Sequence, residues 1–281
     1  MLVNWGVEAR KWQVLVRAIQ PMGFLRSFRA VFTGQALAVN TPNRVGEYVG
    51  RVLYLDEGNR LRGISLTIVG GMSQLIITLL AGLVGMFFLE GTVTGALRHI
   101  LTESGFLNRF PYFPPMAYEI ILYSVLAGTI LVLIVYFELS WLTKLLERLP
   151  LVHRYSYLIE KLEDLHWAEL TRILSLSTTR YAVFVVQFIL LLQVCGVDIP
   201  FWQAAGLVSV FFLVMAVVPT ISSIELGLRG LAAAELFGTV SSNSLGIVAT
   251  VAGIWLINLI IPALAGSLFI VGIKLFKKQN S

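Results

Sequence analysis

The stretch ISLTIVGGMSQLIITLLAGLVGMFFL, residues 64 to 89, contains no charged side chain. A helix of about 20 apolar residues crosses the hydrocarbon core of a bilayer, because each residue adds about 1.5 Å. Two further apolar stretches are long enough to cross, at residues 117 to 137 and 244 to 273. The sequence therefore predicts an all-α integral membrane protein, a polytopic helical bundle.

The composition supports a membrane location. Of the 281 residues, 57% are hydrophobic and 13% are charged, whereas soluble domains have about 25% charged residues. A water-soluble fold could not bury so much apolar surface. We therefore read the net charge of +5 as a report on membrane orientation, and we expect no nucleic-acid partner.

The basic residues are concentrated in three regions. Nine lysines and arginines lie in residues 1 to 63, six in 138 to 180 and three after Gly272, out of 21 in total. Cytoplasmic segments of membrane proteins are enriched in these residues. We therefore expect a multi-pass protein of the cytoplasmic (inner) membrane of a bacterium, with a cytoplasmic C-terminus and with the connections at 90 to 116 and 198 to 203 outside.

The pattern predicts one transmembrane domain over residues 1 to 281. It consists of a first repeat (about 1 to 89), a connecting helix (117 to 137), a cytoplasmic amphipathic segment (138 to 180) and a second repeat (about 181 to 273). Residues 1 to 20 fit either of two descriptions. They are the cytoplasmic end of a helix whose membrane half would precede Met1, or an interfacial helix anchored by Trp5 and Trp12.

Two pairs of short apolar runs predict re-entrant hairpins. Residues 204 to 218 and 224 to 237 would extend only about 22 and 21 Å as helices, short of a core of about 30 Å. Residues 30 to 40 and 46 to 55 form a similar pair, entering from the opposite face. Two hairpins of opposite direction, each followed by a long helix, are typical of an inverted repeat with a site at its interface.

A charged pair follows each hairpin tip. Glu47 and Arg51 follow Pro42, and Glu225 and Arg229 follow Pro219; a spacing of four places each pair on one helical face. An ionisable group at membrane depth costs at least about 2.5 to 3.5 kcal/mol, so it usually faces the bundle interior. The pairs therefore indicate a polar path, with arginines that bind phosphate and glutamates that gate or carry a proton. The alternative is that these ion pairs only hold the hairpins in place.

The candidate substrate-binding residues are Arg44, Glu47, Arg51, Glu225 and Arg229, with Asn43, Gln74 and Glu235 as possible additions. Gln74 follows two glycines, which favours close helix packing, and Glu235 fits either a buried acid or an interfacial residue. The histidines at 99, 153 and 166 fall in predicted loops or in the amphipathic segment, and none has a metal-binding spacing with glutamate. We expect no metal, no cofactor and no catalytic residue.

Three segments of this chain resemble a known family. FTGQALAVNTPNRVGEYVGRVLYL (32 to 55) and PTISSIELGLRGLAAAELF (219 to 237) resemble two signature regions of the flippase-like transmembrane domain of lysylphosphatidylglycerol synthase, and NWGVEARKW (4 to 12) resembles the end of its first helix. The resemblance implies an all-helical membrane domain that handles lipids. The aminoacyl-transfer domain of that family has no counterpart here, so the resemblance does not imply lysyl-lipid synthesis.

These observations lead to one functional expectation and two alternatives. We expect a flippase-like protein that translocates a lipid or lipid-linked substrate by alternating access about the hairpins. One alternative is a membrane enzyme that modifies a lipid with a glutamate as general base. The other is a non-catalytic partner protein whose ion pairs are structural.

Overall fold

The computed structural model describes residues 1 to 39, 41, 44 to 103, 114 to 138, 166 to 217 and 222 to 277. Every regular element within these ranges is helical. The helices are α1 (Leu2–Val16), α2 (Phe24–Ala38), α3 (Gly46–Val52), α4 (Arg60–Phe88), α5 (Glu90–Glu103), α6 (Pro114–Phe137), α7 (Trp167–Val194), α8 (Phe201–Val217), α9 (Ser222–Gly238), α10 (Ser244–Trp255) and α11 (Ile261–Lys277).

Within the described residues, four helical segments are long and apolar enough to cross a membrane, which supports the prediction of an all-helical membrane protein. They are Glu57–Phe88, Ala117–Phe137, Trp167–Val194 and Ser244–Ile270. Large apolar side chains also cover the outside of the bundle, for example Phe87 and Phe88 on α4 and Leu131 on α6. Such exposure is what a hydrocarbon solvent requires.

Two boundaries differ from the sequence prediction. Helix α7 is continuous from Trp167 to Val194, so the predicted boundary at residue 180 falls inside one helix, and Arg180 lies inside a candidate span. The rest of that predicted segment, 139 to 165, is outside the described residues, as is His153. The connection after residue 90 contains α5, so His99 is helical rather than in a loop. His166 directly precedes α7.

Helix α1 is an internal element. Trp5 and Trp12 are 1% and 0% exposed, so the interfacial interpretation of residues 1 to 20 was wrong. Both rings belong to a core cluster with residues of α2, α4 and α7. Their spacing of seven places both rings on one helical face, and this face packs into the core cluster.

A second core cluster occupies the other half of the bundle. It is built around Phe188 of α7, Phe211 of α8 and Phe237 of α9, and the rings of Phe188 and Phe237 stack 5.7 Å apart. Each core therefore has its own aromatic centre, one beside α2 and α3 and the other beside α8 and α9.

Glycines allow helices of the two halves to approach closely. A Cβ atom at Gly266 of α11 would lie 1.9 Å from the carbonyl oxygen of Phe32 in α2. A Cβ atom at Gly85 of α4 would lie 2.7 Å from the carbonyl oxygen of Gly206 in α8. Thus α2 packs on the last long helix, and α8 packs on the first.

The last span is interrupted at its centre. A π-helical segment, Leu256–Ile260, joins α10 to α11. Pro262 follows within the first turn of α11; it has no backbone N–H and so cannot donate to the carbonyl of Asn258. Irregular turns of this kind are frequent at functional sites of helices.

Candidate functional site

A cavity of about 450 Å³ lies between the two halves of the bundle. Its lining includes the middle of three spans: Gln74 is the central residue of α4, Arg180 is at the centre of α7, and Asn258 lies near the centre of Ser244–Ile270. Helices α1, α2, α3, α8 and α9 contribute further lining residues. The cavity therefore lies near the middle of three of the four candidate spans.

The cavity brings together most of the predicted site residues. Arg44, Glu47, Arg51, Gln74 and Arg229 all line it. They come from the turn before α3, from α3 itself, from α4 and from α9. Arg44 adopts a left-handed backbone conformation with φ of 57°, which is uncommon for a residue with a side chain and often occurs at functional sites.

Three predicted residues stand apart from this group. The side chain of Glu225, in α9, and the whole of Asn43 are outside the described part of the chain. Glu235 does not line the cavity. Its carboxylate lies 3.0 Å from Nδ1 of His99, and both side chains are substantially exposed, so Glu235 is not a buried acid.

The centre of the charged cluster is Glu8, which the sequence did not single out. Its Oε1 accepts a hydrogen bond from Nη2 of Arg51 at 2.7 Å, and its Oε2 accepts one from Nη1 of Arg180 at 2.7 Å. Nζ of Lys11 lies 3.0 Å from Oε2. Arg51 also pairs with Glu47, four residues earlier. The side chains of Glu8, Lys11 and Arg51 are 2 to 3% exposed.

Further polar groups bind Lys11 and Arg180, two of the cations of this cluster. Nζ of Lys11 donates to the carbonyl oxygen of Gly70 at 3.2 Å and lies 3.4 Å from the hydroxyl of Ser177. Nε of Arg180 donates to Oδ1 of Asn4 at 3.0 Å, and Asn4 reaches Asn258 at 3.4 Å. These contacts fix α1 against α4, α7 and the π-helical segment.

Aromatic faces complete the surroundings of both arginines. The guanidinium carbon of Arg51 lies 5.7 Å from the centre of the Trp12 ring, and that of Arg180 lies 5.3 Å from Phe184 and 6.0 Å from Trp5. Cations over aromatic faces are stabilised by the ring quadrupole, more so when desolvated. The aromatic rings therefore stabilise the two arginines in addition to the carboxylates.

Helix α1 is not one of the four candidate spans, and its charged groups ionise according to their neighbours. Burial favours a higher pKa for the Glu8 carboxyl, but Arg180, Lys11 and Arg51 outweigh it and hold the pKa well below the usual value. Burial lowers the pKa of the Lys11 ammonium to about 8, although Glu8 opposes that change.

Several buried polar atoms of the lining have no hydrogen-bond partner among the described residues. They include the N–H donors Nε1 of Trp5, Nε of Arg51 and Nε1 of Trp255, and the acceptors Oε1 of Gln35 and Gln74. Leaving such an atom unsatisfied costs about 1 to 3 kcal/mol. These atoms can form hydrogen bonds with water or with a polar ligand in the cavity.

Part of the cavity lining is apolar. It includes Phe184, Phe212, Met215, Ala216 and Leu259. A lining that combines cations with apolar side chains suits an amphipathic ligand, which has an anionic group and hydrocarbon. Within the described residues, no three His, Cys, Asp or Glu side chains come together as metal ligands would.

Sequence reasoning missed Glu8, Lys11 and Arg180. The available signal was the spacing of Glu8 and Lys11 between two tryptophans, which places all four on neighbouring faces of one helix. Arg180 directly precedes an apolar run, and it was therefore counted as cytoplasmic.

No family model, curated protein or solved structure matches this chain.

Proposed function

We propose that this chain translocates a membrane lipid or a lipid-linked molecule between the leaflets of a bilayer, through the charged cavity at its centre. One observation carries the proposal: the buried Glu8 cluster lies beside the middle residues of three helices that can cross a membrane. Charges at such depth are costly, and they mark substrate or ion pathways in membrane proteins.

The combination of cationic and apolar side chains in the lining supports a lipid over a small water-soluble solute. An anionic head group would face Arg51 and Arg180, while hydrocarbon would face Phe212 and Met215. The volume, about 450 Å³, is within the range of small-ligand sites, roughly 300 to 1,000 Å³. It fits a head group, so the acyl or prenyl tails would remain between the helices in the bilayer. The resemblance of residues 32 to 55 and 219 to 237 to a flippase-like domain supports the same activity.

We propose that the two halves form an inverted repeat. The packing supports this idea, because exchanging α1, α2, α3 and α4 with α7, α8, α9 and the last span maps most helix contacts onto one another. In particular, the contact of α2 with α11 becomes the contact of α8 with α4, and the α1 to α7 contact maps onto itself. The charged pairs on α3 and α9 become equivalent in the same exchange.

Helix lengths support re-entrant hairpins in both halves. Helices α8 and α9 have 17 residues each and α2 has 15, so each extends about 22 to 25 Å, less than a core of about 30 Å. Alternating access would then move one hairpin and then the other around the central cavity. In this proposal the protein lies in a bacterial inner membrane, with its C-terminus in the cytoplasm.

A lipid-movement assay tests the proposed function. The purified protein is reconstituted in vesicles that contain a fluorescent phospholipid, and a membrane-impermeant quencher is added outside. We expect faster loss of inner-leaflet fluorescence with the intact chain than in protein-free vesicles. Glu47→Gln and Arg229→Ala should slow it, because both residues line the cavity. Glu57→Gln is the matched control, since Glu57 is 83% exposed and lies outside the cavity.

Two outcomes would contradict the proposal. One is a rate equal to that of empty vesicles for phospholipids and for phosphorylated prenyl lipids alike. The other is a rate that Glu47→Gln and Arg229→Ala leave unchanged, because movement would then bypass the cavity.

A further inference from the structure

We infer that Lys11, Arg51 and Arg180 form a binding site for a phosphate monoester, and that Glu8 competes with this ligand as a built-in anion. The inference rests on the proposed function and specifies its substrate as a lipid that ends in a phosphate monoester. It also gives Glu8 a definite role in ligand release.

Three cations from three separate helices converge on one carboxylate. Lys11 comes from α1, Arg51 from α3 and Arg180 from α7, and their nitrogens lie 3.0, 2.7 and 2.7 Å from the oxygens of Glu8. A structural ion pair needs only one cation for each carboxylate. With Glu47 included, the cluster contains three cations and two carboxylates, so it keeps one positive charge in excess.

A phosphate monoester fits this geometry better than a phosphodiester. It presents three terminal oxygens and a charge of about −1.5 to −2 at pH 7, so each cation can bind one oxygen. A phosphodiester presents two such oxygens and one negative charge. The unpartnered N–H groups of Trp5 and Arg51 add two donors, and phosphate oxygens accept several hydrogen bonds each.

Glu8 and a phosphate group would use the same N–H donors. In the resting state, Glu8 neutralises cations that would otherwise be buried unpaired, which costs several kcal/mol for each ion. A phosphate that enters from one side of the membrane replaces Glu8 on Arg51 and Arg180. On the other side of the membrane, the Glu8 carboxylate returns to these arginines and displaces the phosphate. Glu8 thus lowers ligand affinity and speeds release, as a transport cycle requires.

The test compares ligand binding by the full chain and by its Glu8→Gln variant in phosphatidylcholine nanodiscs. The probes are phosphatidic acid, a lipid monoester; phosphatidylglycerol, a lipid diester; and inorganic phosphate. Affinity is measured from the ligand-induced rise in melting temperature. We expect phosphatidic acid to bind the intact chain in preference to phosphatidylglycerol. Removing the competing charge should tighten phosphatidic acid binding by about tenfold or more, while lipid movement becomes slower.

Controls separate competition from a purely structural role. Glu57→Gln should leave phosphatidic acid affinity unchanged. Glu8→Asp keeps the charge with a shorter reach, so we expect it to bind phosphatidic acid more tightly than the intact chain and less tightly than Glu8→Gln. It replaces Glu8→Gln in this comparison if that variant does not fold. A purely structural Glu8 would give weaker binding in both variants, together with a lower melting temperature that phosphatidic acid does not restore.

Each remaining outcome is decisive. Equal binding of phosphatidylglycerol and phosphatidic acid by the intact chain, with lipid movement present, overturns the monoester assignment but leaves the proposed function standing. If inorganic phosphate binds as tightly as phosphatidic acid, the inference that the bound phosphate group belongs to a lipid is overturned. Absence of both lipid binding and lipid movement contradicts the proposed function itself.

Discussion

The contact between Gly34 and Gly50 sets the position of Arg51. A Cβ atom added at Gly50 would lie 2.6 Å from the Cα atom of Gly34 and 2.7 Å from the carbonyl oxygen of Thr33. Both are backbone atoms of α2, so no side-chain rotation can relieve the overlap. A Gly50→Ala substitution must therefore separate α2 from α3 and shift Arg51, the next residue, away from Glu8.

The expected cost combines two opposing effects. Forcing a methyl group into a packed contact costs about 1 to 3 kcal/mol, and the backbone contact favours the upper part of that range. Alanine is better than glycine inside a helix by about 1 kcal/mol, which offsets part of the cost. We expect Gly50→Ala to lower the free energy of unfolding by about 1 to 2 kcal/mol.

Thermal unfolding in one detergent measures this effect, with Gly128→Ala as the matched control. A Cβ atom at Gly128, in α6, would meet nothing within 4 Å, so that substitution should leave the melting temperature unchanged or raise it. For Gly50→Ala we expect a fall of several degrees, at about 2 to 4 °C for each kcal/mol. Equal or higher stability of Gly50→Ala relative to Gly128→Ala would refute the close approach of α2 and α3.

Two further predictions concern the charges of the cluster. Arg51→Gln should destabilise the protein by about 3 to 5 kcal/mol, because it removes the buried cation that pairs with Glu47 and with Glu8. The double variant with Glu47→Gln should lose less than the sum of the single changes, and additive losses in thermal unfolding would contradict the pairing. Phosphatidic acid binding should weaken as the pH rises through about 8, because loss of the Lys11 proton, at a pKa that burial lowers to about 8, removes a positive charge from the site. Lys11→Gln should abolish this dependence in nanodisc titrations at pH 7 and 9, and an unchanged slope would exclude Lys11 as its source.

The long spans and the charged hairpin residues could be predicted from the sequence. Uninterrupted apolar runs have few alternatives to a spanning helix, so α4, α6 and the last span lie close to their predicted positions. The pair of Glu47 and Arg51 was predictable because a spacing of four within an apolar segment leaves few reasons for charge other than an interior contact. The structure joins these two residues directly.

The centre of the cluster could not be predicted in this way. Glu8 and Lys11 lie in a helix with three charged residues, and such a helix resembles a surface element until its partners are known. Trp5 and Trp12 also suggested an interface, although their rings cover Arg180 and Arg51 from inside the bundle. Burial of α1 depends on contacts with residues more than a hundred positions away, such as Ser177 and Arg180, and no local pattern records them.

In the inferred mechanism, the position of Glu8 would link ligand binding to movement of the two halves. Its carboxylate joins Arg51, on the first predicted hairpin, to Arg180, at the centre of a helix of the second half. While Glu8 holds both arginines, α3 and α7 are tied through α1. A phosphate that takes over these arginines would release α1 from this tie and would join α3 and α7 through its own oxygens instead. A ligand shifts a conformational equilibrium only by its difference in affinity for the two states, and the exchange of Glu8 for phosphate would supply that difference.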